Sequence, residues 1–250
     1  MANSNAVPFS AYDGLLSFLG GPDGPIVACG QAVNFWANRF QTDEPRLDSL
    51  RPFMSKDLDL LGDLAAAERI ARATESVIQH APPRGATPVL ANIHLKAGGA
   101  VRLVQVLYQI PGLNTNEVRK EAIGVDVSGY SIRVVDPITL LAGKIYNVAH
   151  FDQKNRNDIQ HIRILYLCVP VFLSKRIEAA EQNPKAARTC LDGLERGLAL
   201  SASPDAPKVG VQLGINWLDL IPLAALRASP NAKLQSFAGK RLKHWCKPKS

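Results

Sequence analysis

The first limits on this sequence come from what it lacks. Its four cysteines, Cys29, Cys168, Cys190 and Cys246, show no C-x-x-C spacing and have no paired histidines beside them. That excludes a zinc finger and a disulfide framework, and leaves the thiols as structural residues. The five histidines, His80, His94, His150, His161 and His244, show no ligand spacing with one another or with the cysteines. There is no G-x-S-x-G or Walker A pattern, and no serine, histidine and aspartate triad can be assembled. No apolar run reaches the roughly 18–20 residues that span a bilayer. The N-terminus carries no basic region followed by an apolar core and a small-residue cleavage site. Internal repeats and low-complexity tracts are also missing. The expectation is a soluble cytoplasmic protein without membrane contact.

What is present supports a packed core. The chain has 250 residues, 46% of them hydrophobic, enough for one large domain or two small ones. Its formal charge is +7, with part of the excess in the last residues, Lys240 to Lys249, around Trp245. A basic tail with one aromatic fits a nucleic-acid contact and, equally, a solvated helix end.

The front half alternates short strands with helices. Residues 9 to 19 have helical spacing, and Gly20 to Pro25 break it. Ile26 to Cys29 reads as a buried strand that turns at Gly30 into a helix over 31–40. A polar, proline-punctuated loop over 41–55 leads to the strand that starts Asp57-Leu58-Asp59-Leu60-Leu61. An Ala-rich helix is predicted over 64–78, stopped before Pro82-Pro83. Strands over 87–95 and 101–110 form a hairpin turning at Gly98-Gly99, and a short helix spans about 116–121. A second hairpin, 122–127 and 130–134, turns at Ser128-Gly129.

From Asp136 onward the pattern is helical. Asp136-Pro137 supplies an N-cap and a first-turn proline. Further helices are predicted over about 157–168, ending near Pro170, and over 172–181, 184–200, 217–226 and 231–245, with 201–207 as a loop. The expected architecture is α+β, with a mixed-sheet domain over 1–135 and a helical region over 136–250.

Two features in the front half form one chemical constellation. Gly30 brings bare backbone N–H groups to a helix start, where an anion such as phosphate sits well. Residues i and i+2 of a strand share a face, so Asp57 and Asp59 project side by side while Leu58 and Leu60 face the core. Adjacent carboxylates repel unless a cation lies between them, which points to a divalent metal holding a polyphosphate.

With the Gly turn, Ser55-Lys56-Asp57-Leu58-Asp59, the hairpins and Leu140-Leu-Ala-Gly-Lys144 in place, the chain resembles the nucleotidyltransferase superfamily, with its DNA polymerase beta-like fold. Within that superfamily it is similar to the minimal bacterial branch that includes the AbiEii-type toxins. The resemblance covers about residues 25–165. It implies transfer of a nucleoside monophosphate from an NTP to a hydroxyl of a protein or RNA acceptor, with Mg²⁺ or Mn²⁺ as cofactor. It also implies a toxin-antitoxin setting with an antitoxin partner. Asp57 and Asp59 match the metal-binding, catalytic pair, and Gly30, Gln31, Ser55 and Lys56 match the nucleotide site. Lys144, and Asp158 in Lys154-Asn-Arg-Asn-Asp158, match two further nucleotide-site positions, although Asn157 stands where an arginine is usual.

Two departures from the family pattern matter. Cys29 occupies the position of the usual first glycine. Gln105, in Leu103-Val-Gln-Val-Leu107, occupies the position of the third carboxylate. An amide oxygen can ligate a hard cation but adds no charge and is a poor base. Asp126 is an alternative third acid. The competing reading is a nucleotidyltransferase-like protein without chemistry that binds a nucleotide, RNA or a partner protein. In a third reading the basic C-terminal helix is the functional surface.

Overall fold

The computed structural model describes residues 6–21, 23–82, 87–97, 100–183 and 185–242. A 3-10 turn over Phe9–Leu15 leads into α1 (Leu16–Leu19), β1 (Ile26–Ala28) and α2 (Cys29–Phe40). A second 3-10 turn, Pro45–Leu50, precedes β2 (Asp57–Leu61), α3 (Leu64–Ala73) and β3 (Val77–His80). Then come β4 (Val89–Ala97), β5 (Ala100–Leu107), α4 (Thr115–Glu121), β6 (Ile123–Val127) and β7 (Tyr130–Val134). The remainder is helical: α5 (Pro137–His150), α6 (Asp158–Gln182), α7 (Ala186–Ser201), α8 (Ala206–Leu213), α9 (Leu223–Ala228) and α10 (Ala232–Ser236). The fold is α+β, a mixed sheet flanked by helices.

The seven strands run in the order β3-β4-β5-β2-β1-β7-β6. β2 lies antiparallel to β1 and parallel to β5, and β1 is parallel to β7. The central strands alternate as the period-2 rule requires. Leu58, Leu60, Val104, Val106 and Ile93 are closed off from solvent on one face. Asp59 pairs with Gln105, Gln105 with Asn92, and Asn92 with Gln79, so a polar row crosses four strands on the other face.

The helical back half does not stand apart from the sheet. α6 packs on α2, α5 and α7, and Trp36 of α2 donates to the Val135 carbonyl and meets Phe172 of α6 edge-on. Buried residues from Phe9 to Leu242 form one apolar cluster. As expected, Asp136 caps α5, accepting from the N–H groups of Ile138 and Thr139. It also accepts from Arg196 of α7 at 2.9 Å, a contact between elements 60 residues apart.

Three stretches differ from the sequence-based expectation. α3 stops at Ala73 rather than Ile78. Thr74 turns its hydroxyl back to the Ile70 carbonyl, Glu75 takes φ 49, and Val77 and Ile78 pair as strand with His94 and Ile93. α6 does not end near Pro170 but continues to Gln182. A mid-helix proline costs about 3 kcal/mol, which is outweighed by burial of Val169, Phe172, Leu173 and Ile177 on the same helix. After the loop, α8 (Ala206–Leu213) is an unexpected helix, with Pro207 in its first turn, and the helix expected over 217–226 is instead a 3-10 turn, Trp217–Leu220, followed by α9. The expected hairpin turn at Gly98-Gly99 and the basic tail beyond Leu242 lie outside the described residues.

Candidate functional site

A cleft of about 710 Å³ opens between the polar row of the sheet, the start of α2, and helices α5 and α6. Its lining includes Gly30, Ser55, Lys56, Asp57, Asp59, Gln105, Lys144 and Asp158. Eight of the nine residues expected at the site therefore meet in one place. The ninth, Gln31, is buried and does not line it. Its side-chain amide donates to the Val7 carbonyl at 3.0 Å and reaches the Ser55 carbonyl at 3.5 Å. It thereby holds the segment that carries Ser55. Because Gln31 follows Gly30 on a helix turning about 100° per residue, it points into the fold rather than into the cleft.

The anion end of the cleft is built from backbone. α2 begins at Cys29 with no side-chain cap and no acidic residue in its first turn, so its leading N–H groups keep their positive end for a ligand. Cys29 has φ 50, the left-handed region that favours glycine. Gly30 is required for a different reason. A Cβ there would run into the Ser55 hydroxyl, would lie 3.1 Å from Ser55 Cβ, and would sit 3.4 Å from His161 Cε1. Ser55 is fixed by a backbone pair with Val7, and its hydroxyl lies 3.4 Å from Asp57 Oδ1.

The acid pair stands on β2. Asp59 is only 8% exposed. Burial, and next the charge of Asp57, push its carboxyl up to about 7, against the smaller lowering effects of Lys144 and Cys29. Burial and Asp59 in turn hold the Cys29 thiol well above its ordinary range, so Cys29 is a neutral thiol and not a thiolate. Burial and then Asp57 raise the Tyr12 hydroxyl to about 12, and that hydroxyl has no hydrogen-bond partner among the described residues.

Gln105 faces the cleft at the register position beside Asp59. Its Nε2 donates to Asn92 Oδ1 at 2.9 Å, and its Oε1 accepts no hydrogen bond among the described residues. Asp126 is not a substitute. It lies on β6, the far edge of the sheet, separated from β2 by β7 and β1.

The opposite wall carries the positive charge. Lys144 Nζ donates to Asp158 Oδ1 at 2.7 Å. Asp158 also accepts from Arg156 Nε at 2.6 Å and from Asn147 Nδ2 at 3.3 Å. Burial alone would raise its carboxyl, but Lys144 and Arg156 outweigh burial and hold it below the usual range. Lys144 is thus presented to the cleft by a carboxylate behind it, whereas Lys56 is exposed and forms no salt bridge among the described residues.

His161 was not singled out by sequence reasoning. It lies one turn beyond Asp158 on the same face of α6, lines the cleft and is 6% exposed. Burial and then Lys144 lower its pKa to about 3, so the ring is neutral. The signal that could have found it is the i, i+3 spacing from Asp158, a residue already implicated.

The donors available for a metal are hard oxygens. Among the described residues, no group of three or more His, Cys, Asp or Glu is arranged to hold an ion. Two carboxylates, with further oxygens from waters and a phosphate-bearing substrate, are nonetheless the usual provision for Mg²⁺. The carboxyl of Asp59 is raised by burial first and by the charge of Asp57 second, and a divalent cation between the two acids would offset both costs. The residues present therefore fit such an ion.

No protein-family model matches the chain, and no curated protein matches it significantly. Among the described residues, no helix is long and apolar enough to cross a membrane.

Proposed function

We propose that this cleft binds a nucleoside triphosphate together with a divalent cation, and that the protein is a nucleotidyltransferase acting on a hydroxyl of a protein or RNA. The observation that carries this reading is the placement of Asp57 and Asp59 side by side on β2, facing the uncapped start of α2 with Lys144 across the cleft. A polyphosphate needs these complementary parts, and few other small ligands do.

In this reading the backbone N–H groups at Gly30, the Ser55 hydroxyl and Lys144 hold the β and γ phosphates. Asp57 and Asp59 would hold Mg²⁺ or Mn²⁺, which when bound supplies alignment and charge neutralisation. The acceptor oxygen attacks the α-phosphorus, the bond to the bridging oxygen breaks and pyrophosphate leaves. The acceptor proton passes to water or to a carboxylate of the pair. Phosphoryl chemistry of this kind depends mainly on positioning and electrostatics, so the small residue set is sufficient. The partly exposed rings of Tyr108 and Phe151, both on the cleft lining, offer faces for a base. A toxin role neutralised by an antitoxin is the setting that this reading suggests.

Incubating the protein with labelled NTPs, Mg²⁺ or Mn²⁺ and a cell extract tests the proposal. Label should appear on protein or RNA and disappear in Asp57→Asn and Asp59→Asn. Absence of transfer from every NTP, or transfer that survives both substitutions, overturns it.

A second reading is favoured by Gln105. With its amide tied to Asn92 and no third acid, the cleft would bind a nucleotide, RNA or a partner without turnover. Nucleotide affinity that is independent of divalent metal supports this alternative, and strict metal dependence supports the enzyme.

A further inference from the structure

The ring of His161 is placed where packing alone does not explain it. Its Cε1, the atom between the two ring nitrogens, lies 3.4 Å from the point a Cβ on Gly30 would occupy. The nitrogen-bearing edge therefore faces the first turn of α2. Neither ring nitrogen makes a hydrogen bond among the described residues, and Nδ1 is sealed from solvent without a partner.

Buried polar atoms are nearly always paired, so an unpaired one calls for an explanation. Asp158, one turn back on α6, is already committed, accepting from Lys144, Arg156 and Asn147. The charged and thiol groups that line the same cleft are Lys144 on α5, Cys29 on α2, Asp57 and Asp59 on β2, Lys56 just before β2, and Arg156 and Asp158 at the start of α6. A neutral imidazole among them carries one N–H donor and one acceptor. The first turn of α2 carries no acidic residue and Lys144 lines the same cleft, so the complement between them is an anionic oxygen.

We propose that His161 is a ligand-contacting residue whose Nε2, the ring nitrogen that is not sealed, donates its N–H to a phosphate oxygen of the bound polyphosphate, seating it between Gly30 and Lys144. This rests on the reading of the cleft as a polyphosphate site and names a donor that the reading did not require.

The test uses the full chain with Mg²⁺ and three probes: inorganic tripolyphosphate, ATP and adenosine. The ring ¹⁵N resonances of His161, assigned by their loss in His161→Gln, report the contact in the unaltered protein. Calorimetry reports affinity, and circular dichroism confirms that each variant is folded. Tripolyphosphate and ATP should both shift the ring signals, while adenosine should leave them in place. His161→Phe should weaken tripolyphosphate binding about 10- to 100-fold, and His161→Gln, which keeps a donor, should recover much of it.

Ring signals unmoved at saturation, equal affinity in His161→Phe, or a shift with adenosine equal to that with ATP overturns the assignment and leaves the polyphosphate cleft intact. If neither tripolyphosphate nor ATP binds the unaltered protein, both readings fall together. If the ring shifts but no NTP is ever transferred, the assignment stands and the transfer reading falls.

Discussion

Lys144 and Asp158 form a buried ion pair at 2.7 Å, with side chains only 9% and 4% exposed. It joins α5 to the start of α6 and fixes the positive wall of the cleft. The pair is asymmetric. Asp158 has two further donors, Arg156 and Asn147, whereas the only ion-pair partner of Lys144 among the described residues is Asp158.

This asymmetry predicts the order of two mutations. Asp158→Ala strands a buried ammonium and should cost about 3–5 kcal/mol. Lys144→Met leaves the carboxylate with Arg156 and Asn147 and fills the space of the stem, so it should cost clearly less. Urea unfolding of both variants checks this, and a larger loss for Lys144→Met contradicts it.

Asp59 and His161 should give the stability opposite pH slopes in metal-free buffer. Asp59 is raised to about 7 by burial and Asp57, so the folded state holds its proton more tightly than the unfolded state does. Its contribution is present at low pH and is lost as pH rises from about 4 to 7. His161 is lowered to about 3 by burial and Lys144. Its contribution is present above about 6.5 and is lost as pH falls toward 3. Asp59→Asn should therefore expose the acid-side loss, and His161→Phe the alkaline-side loss. Melting temperatures of the three proteins between pH 4 and 8 report both slopes. Parallel profiles contradict the prediction.

The same electrostatics predict a response to metal. At pH 8, Asp59→Asn without metal should be more stable than the unaltered protein by on the order of 2 kcal/mol, since the cost of burying the charge and the repulsion from Asp57 are both gone. Millimolar Mg²⁺ should raise the melting temperature of the unaltered protein and leave Asp57→Asn/Asp59→Asn unmoved. A thermal shift of equal size in both argues against an ion at this pair.

At the start of α2 there is no room for a side chain on residue 30. Gly30→Ala should destabilise by about 1–3 kcal/mol through the clash with Ser55. Ser55→Gly in the same chain should restore part of that loss, because the contact responsible is shared. Additive effects in the double-mutant cycle would place the strain elsewhere.

The local parts of this protein are written in the sequence itself. Alternation at Asp57 to Leu61 puts two acids on one face and two leucines in the core, because the strand repeats every two residues. Gly30 marks a helix start with no Cβ, and Asp136-Pro137 marks a capped one. These features follow from short-range sterics and hydrogen bonding. The tertiary structure decided the rest. Packing, not propensity, carries α6 through Pro170 and turns the end of the expected Ala-rich helix into β3. Lys144 and Asp158 entered the sequence reading only through family resemblance, since their contact depends on how α5 and α6 cross. His161 faces Gly30 across more than a hundred residues of chain, and no local periodicity encodes that approach. The acid pair at Asp57 and Asp59 is therefore legible in the sequence, but the wall that makes it a cleft exists only once the helices have packed.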